Sequence, residues 1–219
     1  ETEGHPNEQG FDEFVGYLCQ RRAHNFYPTH LWRNHEKLEL GNPYHTGHEK
    51  ITEPLESEQA YLDRWSKGTY ACDVMRDAAV RFIQDHADEP FFIYYPSLIP
   101  HVAIQVPNEE TEAYPREWDP VPYLGQKGYI PHGRPNAAYA GMITRLDREL
   151  GQLMATLEEE GLADNTIVIV TSDNGTTWAG GVDAAFFDST GPWRGLKGSL
   201  YEGGIRVPMI ARWPGRIPA

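Results

Sequence analysis

Residues 172–175, Ser-Asp-Asn-Gly, follow the β-branched apolar run "TIVIVT" at 166–171. Such a run suits a buried strand, and in open α/β sheets ligands bind beyond the carboxyl ends of the strands. There Asp173 and Asn174 would offer a carboxylate and an amide oxygen, the donors that Ca²⁺ and Mg²⁺ prefer. Asn-Gly is also a strong hairpin signal. Two side chains are too few for a complete metal site, so spacing alone leaves both interpretations open.

A second segment with chemical potential is "GPWRGLKGSLYEGGIRVP" at 191–208, which is rich in glycine and carries three cationic side chains. A solvated basic loop is the simpler interpretation of such a stretch. However, Lys197 lies between Gly195 and Gly198, in a loop that could fold back over the same sheet edge. A lysine in that place is a movable point charge suited to holding an oxyanion.

The overall charge excludes some classes of partner. The 219 residues include 32 Asp and Glu against 19 Lys and Arg, a formal net charge of −13. This balance argues against a broad nucleic-acid or anionic-membrane surface, which needs clustered cations, but allows a small anionic substrate held in a cleft. No apolar run reaches the roughly 20 residues of a membrane span. Cys19 and Cys72 lie in no CxxC or ligand cluster, and we interpret them as free thiols.

The elements that would position these residues follow from periodicity and breakers. Apolar residues at helical spacing begin near Thr69 and stop before Pro90, and a longer apolar stripe runs from Tyr139 to Leu157, with Gly161 suited to the C-terminal cap. The predicted strands are 91–97, 165–171 and 207–213, the predicted long loop is 101–136, and residues 1–60 have no sustained period. This succession of helices and strands predicts an α/β fold with a largely parallel sheet.

At this point a family resemblance becomes plain. "TSDNG" followed by "GLKGSLYEGGIRVP" resembles the sulfatase family, of the arylsulfatase and N-acetylgalactosamine-6-sulfatase type. The match continues through "GFDEFVGYL", "FFIYYPSLIPHVAIQVP", "YAGMITRLDRELGQLMATLEEEGLADNTIVIVTSDNG" and "RVPMIARWPGRIP", and so covers nearly the whole chain. It implies an alkaline-phosphatase-like three-layer α/β sandwich, with a largely parallel central sheet that is incomplete here, and hydrolysis of sulfate esters.

The resemblance also assigns roles to individual residues. Asp173 and Asn174 correspond to two of the family's ligands for Ca²⁺, or alternatively Mg²⁺, and Lys197 to the lysine that contacts the sulfate group. His101 matches the histidine that hydrogen-bonds the sulfate and assists the departing alcohol. For His24, contact with substrate is conceivable, but we favour a structural role. These assignments predict catalytic His101 and Lys197 beside metal ligands Asp173 and Asn174.

The family nucleophile is a formylglycine made from the Cys or Ser of a C/S-x-P-x-R motif, and neither Cys19 nor Cys72 lies in one. We therefore expect residues 1–219 to be the central to C-terminal part of a sulfatase catalytic domain. The nucleophile-bearing part and the C-terminal subdomain would lie outside this chain. The resemblance further implies a sulfated small molecule or glycan as substrate, and a periplasmic, secreted or lysosomal location.

Two other functions stay open on the sequence. Phosphodiesterases and phosphonate hydrolases share the implied fold and a similar metal site. A non-catalytic sugar- or partner-binding relative could have lost the nucleophile. The upstream sequence would separate the enzyme from the binding protein, because only the enzyme needs the C/S-x-P-x-R motif.

Overall fold

The computed structural model describes residues 3–218, which form an α/β structure with two small antiparallel sheets. The helices are α1 (Glu58–Trp65), α2 (Ala71–Asp85), α3 (Asn108–Glu112), α4 (Pro135–Glu159) and α5 (Glu202–Ile205). The strands are β1 (Val15–Gly16), β2 (His30–Arg33), β3 (Glu36–Glu39), β4 (Val168–Thr171) and β5 (Met209–Arg212).

The two long helices confirm the periodicity prediction. Helix α4 buries Ala138, Tyr139 and Met142 in the main core and ends in a left-handed Gly161 with φ +71°. The N–H of Leu162 then donates to the carbonyl of Leu157 at 2.8 Å, which satisfies a carbonyl left free at the helix end. Helix α4 also packs on α2.

The first 60 residues contain more structure than their sequence predicts. Strands β1, β2 and β3 form an antiparallel sheet in that order, with Leu31 paired to Leu38 and fully buried. Helix α1 follows, and the hydroxyl of Ser57 caps it by accepting from the N–H of Ala60. Within the predicted loop 101–136, α3 and a bridge between Tyr123 and His132 add further order.

The predicted strands at 165–171 and 207–213 are present as β4 and β5, but they pair antiparallel, with Thr171 opposite Met209. A parallel central sheet is therefore not seen within residues 3–218. The predicted strand at 91–97 is wrong for the described chain, because this segment joins no ladder. It has no neighbouring strand to accept its backbone hydrogen bonds, although half-buried and exposed side chains still alternate along it.

Several large apolar side chains on these segments are exposed. More than half of the residue surface is accessible to solvent at five of them: Phe92, Tyr94, Ile169, Met209 and Ile210. Ile169 and Met209 lie on one face of the β4–β5 pair and Ile210 lies on the other, so both faces of the pair expose apolar side chains. None of the helices in the described part of the chain has the length and apolarity of a membrane span.

Candidate active site

The antiparallel pairing of β4 and β5 brings the two candidate segments together. Because Thr171 at the end of β4 lies opposite Met209 at the start of β5, the residues just before β5 must lie beside those just after β4. The main-chain N–H of Gly175 donates to the carbonyl of Gly204 at 3.0 Å. The main-chain N–H of Lys197 donates to the carbonyl of Thr176 at 2.8 Å. The glycine-rich loop is thus tied by its backbone to the segment that carries Asp173 and Asn174.

Glycine is required where these backbones meet. A Cβ on Gly175 would overlap the carbonyl oxygen of Gly203, and a Cβ on Gly203 would overlap that of Gly195. Gly195 itself has φ +91°, in the left-handed region that favours glycine. The position of the loop, and with it the position of Lys197, is therefore set by main-chain contacts.

His101 joins the site from a third segment. Ile99, Val102 and Ile104 are buried in the main core on either side of it, whereas the His101 side chain is half-buried at the surface of that core. The 176–182 stretch closes against this segment through Gly180, which has φ +62° and at which a Cβ would overlap the side chain of Val102. The core thus holds His101 beside the residues that follow β4.

Burial and neighbouring groups set the protonation state of His101. Burial lowers the pKa of His101, its contact with the Val102 carbonyl raises it, the Lys197 charge lowers it and Asp173 raises it. The net effect is a pKa of His101 below the ordinary histidine value, so the imidazole is neutral near pH 7. Its Nδ1 is hydrogen-bonded to the Val102 carbonyl, which requires the proton on Nδ1 in the neutral ring. The lone pair is then on Nε2, which can contact a reacting group.

Two further imidazoles and a phenol ring lie beside His101. The ring of His24 is stacked on that of His101, with centroids 5.3 Å apart and planes 8° apart. His24 Nδ1 is 2.9 Å from His48 Nε2, and Tyr129 contacts the rings of both. Burial first, and then the neighbouring charges, lower the pKa of His24 to about 4. Sequence reasoning favoured a structural role for His24 and did not single out His48 or Tyr129.

The structure rejects the hairpin interpretation of Asn174-Gly175. The partner of β4 is β5, far along the chain, and the residues directly after Gly175 form no strand. The side-chain amide of Asn174 donates to the Gly175 carbonyl at 2.9 Å, and its oxygen has no hydrogen-bond partner within residues 3–218. Asp173 is exposed beside it. A carboxylate and a free amide oxygen fit a hard divalent cation in chemical type.

The same pair falls short of a metal site in number. Ca²⁺ takes about 6–8 oxygen ligands, and the described residues contain no cluster of three or more His, Cys, Asp or Glu that could hold a metal ion. Asp173 and Asn174 can therefore contribute part of a coordination shell and require further oxygen ligands. Cys19 and Cys72 are both free, as their spacing indicated.

Comparison with known proteins identifies the family. The sequence model of the sulfatase family matches residues 3–219. The chain belongs to the sulfatase family. A sulfatase of Formosa agariphila is 34% identical over 191 residues, which cover 80% of this chain and 31% of that protein. An N-acetylgalactosamine-6-O-sulfatase of Bacteroides thetaiotaomicron is 35% identical over 151 residues, which cover 66% of this chain and 26% of that protein.

The similarity extends to three dimensions. The crystal structure of Ps i-CgsB in complex with k-i-k-neocarrahexaose superposes with a TM-score of 0.69 at 24% identity, covering 100% of this chain and 43% of that one. At this identity the superposition shows the fold alone, and with family membership it confirms the alkaline-phosphatase-like α/β class. The sulfatase chain described here spans about a third of the length of the curated relatives it matches.

Proposed function

We propose that this chain is the central to C-terminal part of a sulfatase catalytic domain that hydrolyses sulfate esters of sugars. The observation that carries the proposal is the backbone hydrogen bond that ties Lys197 to the segment following Asp173 and Asn174, within a sulfatase-family chain. The sugar substrate is supported by the relative from B. thetaiotaomicron, an N-acetylgalactosamine-6-O-sulfatase. The nucleophile, a formylglycine, would be supplied from outside residues 1–219, and a periplasmic, secreted or lysosomal location would accompany this function.

Lys197 and His101 would act on different oxygens. Lys197, held by its backbone at the end of β4, would neutralise charge on the sulfuryl oxygens throughout the reaction. His101 would face the ester oxygen with Nε2, and its imidazolium form, protonated from solvent, would donate the Nε2 proton to the departing alcohol. A neutral imidazole with its tautomer set by Val102 is suited to this role, because Nε2 can accept a proton and then return it.

Asp173 and Asn174 would hold one side of a divalent cation, Ca²⁺ or Mg²⁺, with the remaining oxygen ligands coming from elsewhere in the catalytic domain. The cation would supply positive charge against the sulfuryl oxygens. On the side of this chain, Asn174 is preset for the task, because its amide nitrogen is occupied by the Gly175 carbonyl and its oxygen is free within the described residues.

The test compares the 219-residue chain with the full-length protein. We expect the full-length protein to release sulfate from N-acetylgalactosamine 6-sulfate and from 4-nitrophenyl sulfate, and to favour these over the matching phosphate esters. The 219-residue chain alone should release none and should bind Ca²⁺ poorly, because it has neither the nucleophile nor enough oxygen ligands. Turnover of an aryl sulfate by the short chain, or a preference of the full-length protein for phosphate esters, would contradict the proposal.

A further inference from the structure

His101, His24 and His48 form a row of three imidazoles, here called the histidine row. His24 is stacked on His101 and hydrogen-bonded to His48 at 2.9 Å. The ring stacking and the hydrogen bond give the order of the row as His101, His24 and His48. The row therefore starts at the residue proposed to act on the departing alcohol and continues through His24 to His48.

Tyr129 forms a wall along this row, and its backbone is unusual. Its φ is +67°, in the left-handed region, which is rare and unfavourable for a bulky residue. The ring lies 5.0 Å from that of His24 and 4.7 Å from that of His48, measured between centroids. Such conformations cluster at functional sites, where the surrounding structure maintains them. Neighbouring residues fix the position of Tyr129, because Ile130 next to it is buried and Gly180 packs closely against its ring.

Local backbone packing also brings His48 to His24. Gly47 is buried, and a Cβ there would overlap the carbonyl oxygen of His24. Only a glycine lets residues 46–48 approach so closely. The three histidines and Tyr129 are all half-buried. They therefore lie at the surface of the core, where a ligand can reach them.

The hydrogen bond between His24 and His48 determines what the pair can bind. One ring must donate its N–H to the other, because burial lowers the pKa of both and keeps both neutral. Whichever ring donates, the two outer nitrogens, His24 Nε2 and His48 Nδ1, consist of one donor and one acceptor. Neither has a hydrogen-bond partner in the described part of the chain, and neither is sealed from solvent. A hydroxyl group, which both donates and accepts, matches this pair.

We propose that the His24–His48 pair is a specificity-determining site that hydrogen-bonds the free hydroxyl of the sugar that lies nearest to the carbon that carries the sulfate. The inference rests on the proposed function, because Lys197 and His101 define where the ester lies. The ester oxygen would be at His101, and the next imidazoles along the row would meet the neighbouring part of the alcohol. Tyr129 would keep both rings in place, since a site that must discriminate needs rigid groups.

The experiment measures kcat/KM of the full-length protein on N-acetylgalactosamine 6-sulfate, on its 4-deoxy analogue and on 4-nitrophenyl sulfate. His48→Phe keeps a ring against Tyr129 but removes both nitrogens. We expect the ratio of sugar to aryl kcat/KM to fall about tenfold, mainly through KM, as the loss of a well-made hydrogen bond predicts. For the 4-deoxy analogue, which lacks the hydroxyl, kcat/KM should be the same in His48→Phe and in the wild-type protein. His86→Phe, a half-buried histidine stacked on Phe82 at the end of α2, is the matched control and should leave the ratio unchanged.

An equal loss on sugar and aryl substrates, or no loss on either, would overturn the inference and leave His48 a structural residue. If the wild-type protein hydrolyses none of these esters, the proposed function fails, and calorimetric binding then decides the inference separately. Binding of N-acetylgalactosamine 6-sulfate that is at least fivefold weaker in His48→Phe than in wild type supports a hydroxyl-binding pair. Equal binding to both proteins, or binding to neither, overturns it.

Discussion

The main-chain N–H of Lys197 donates to the carbonyl oxygen of Thr176 at 2.8 Å, two residues beyond Asn174. This bond joins the residue proposed to hold the sulfate group to the segment proposed to hold the metal. Because the link is made by backbone atoms, the two functions share one rigid support. Changes to that backbone should therefore affect both, whereas changes to either side chain should affect one.

Gly203→Ala tests the backbone support directly in the 219-residue chain. The added Cβ would overlap the Gly195 carbonyl oxygen, so we expect a loss of about 1–3 kcal/mol in the free energy of unfolding, measured by urea denaturation. The matched control is Gly151→Ala on α4, where a Cβ meets nothing within 4 Å. That change should stabilise the chain by roughly 0.5–1 kcal/mol, because alanine favours helix. Equal effects of the two substitutions would mean that the glycine contact is unimportant.

Asp173→Ala and Asn174→Ala should lower metal content and activity together in the full-length protein. Each change would remove one oxygen ligand from the proposed cation, and loss of one partner that stabilises charge typically costs roughly 10²–10³ in rate. Metal content by atomic emission and sulfate release should be measured on the same samples. Asp147→Ala, an exposed carboxylate on α4, should change neither. Full metal occupancy with a normal rate in Asp173→Ala would exclude the metal role.

Lys197→Ala and His101→Ala should fail in different ways. Lys197 would hold charge that is present in the substrate and in the transition state, so its loss should raise KM and lower kcat. His101 would act on charge that develops on the departing oxygen, so its loss should lower kcat with a smaller effect on KM. The deficit of His101→Ala should shrink for aryl sulfates with more acidic alcohols, which need less protonation. A deficit that is constant across such a series would limit His101 to contacting the sulfate.

The stability of the chain should fall as pH drops from about 6.5 to 4, partly because of His132. Burial, and secondarily Arg134, lowers the pKa of this imidazole from 6.5 to about 4. The unfolded chain therefore binds a proton at a higher pH than the folded chain. His132 contributes stability above pH 6.5 that is lost towards pH 4, roughly 3 kcal/mol at about 1.4 kcal/mol per pH unit.

The measurement is the free energy of unfolding of wild type and His132→Asn at several pH values. Asparagine can still accept the hydrogen bond that Arg134 donates to His132 Nδ1, and it does not titrate. Glu149, whose pKa burial raises to about 7, has the opposite sign and loses its contribution as pH rises between 4.5 and 7. The contribution of His132 is therefore the difference between the two proteins. Parallel curves from pH 6.5 to 4 would contradict the prediction.

Helices α2 and α4 were predictable because each carries a long apolar stripe, and the Gly161 cap follows from residue type alone. The small sheet β1–β3 was missed because strands of two to four residues are too short for a periodic signal. The strand at 91–97 was predicted from composition, but a strand exists only where another backbone accepts its hydrogen bonds. Local sequence carries no information about that partner.

In the candidate site too, some residues were predictable from the sequence and others depend on tertiary packing. Asp173, Asn174, Lys197 and His101 were predicted from motif resemblance, and the structure brings them to one end of β4. His48 was missed because its contact with His24 depends on tertiary packing. Tyr129 carried no signal either, because its left-handed backbone is unusual for a tyrosine. Sequence reasoning named the residues proposed to contact the sulfate group and the metal, and it did not name the residues proposed to contact the sugar.

The glycine contacts around Lys197 also bear on protein engineering. Gly175, Gly195 and Gly203 position the loop that carries Lys197 by main-chain contacts, whereas the His24–His48 pair lies on other segments. The loop and the pair are therefore separable parts. Libraries that vary His24, His48 and Tyr129 can be screened for new alcohols while the backbone frame around Lys197 stays in place. Variation within 194–204 would instead shift that frame and impair every substrate at once.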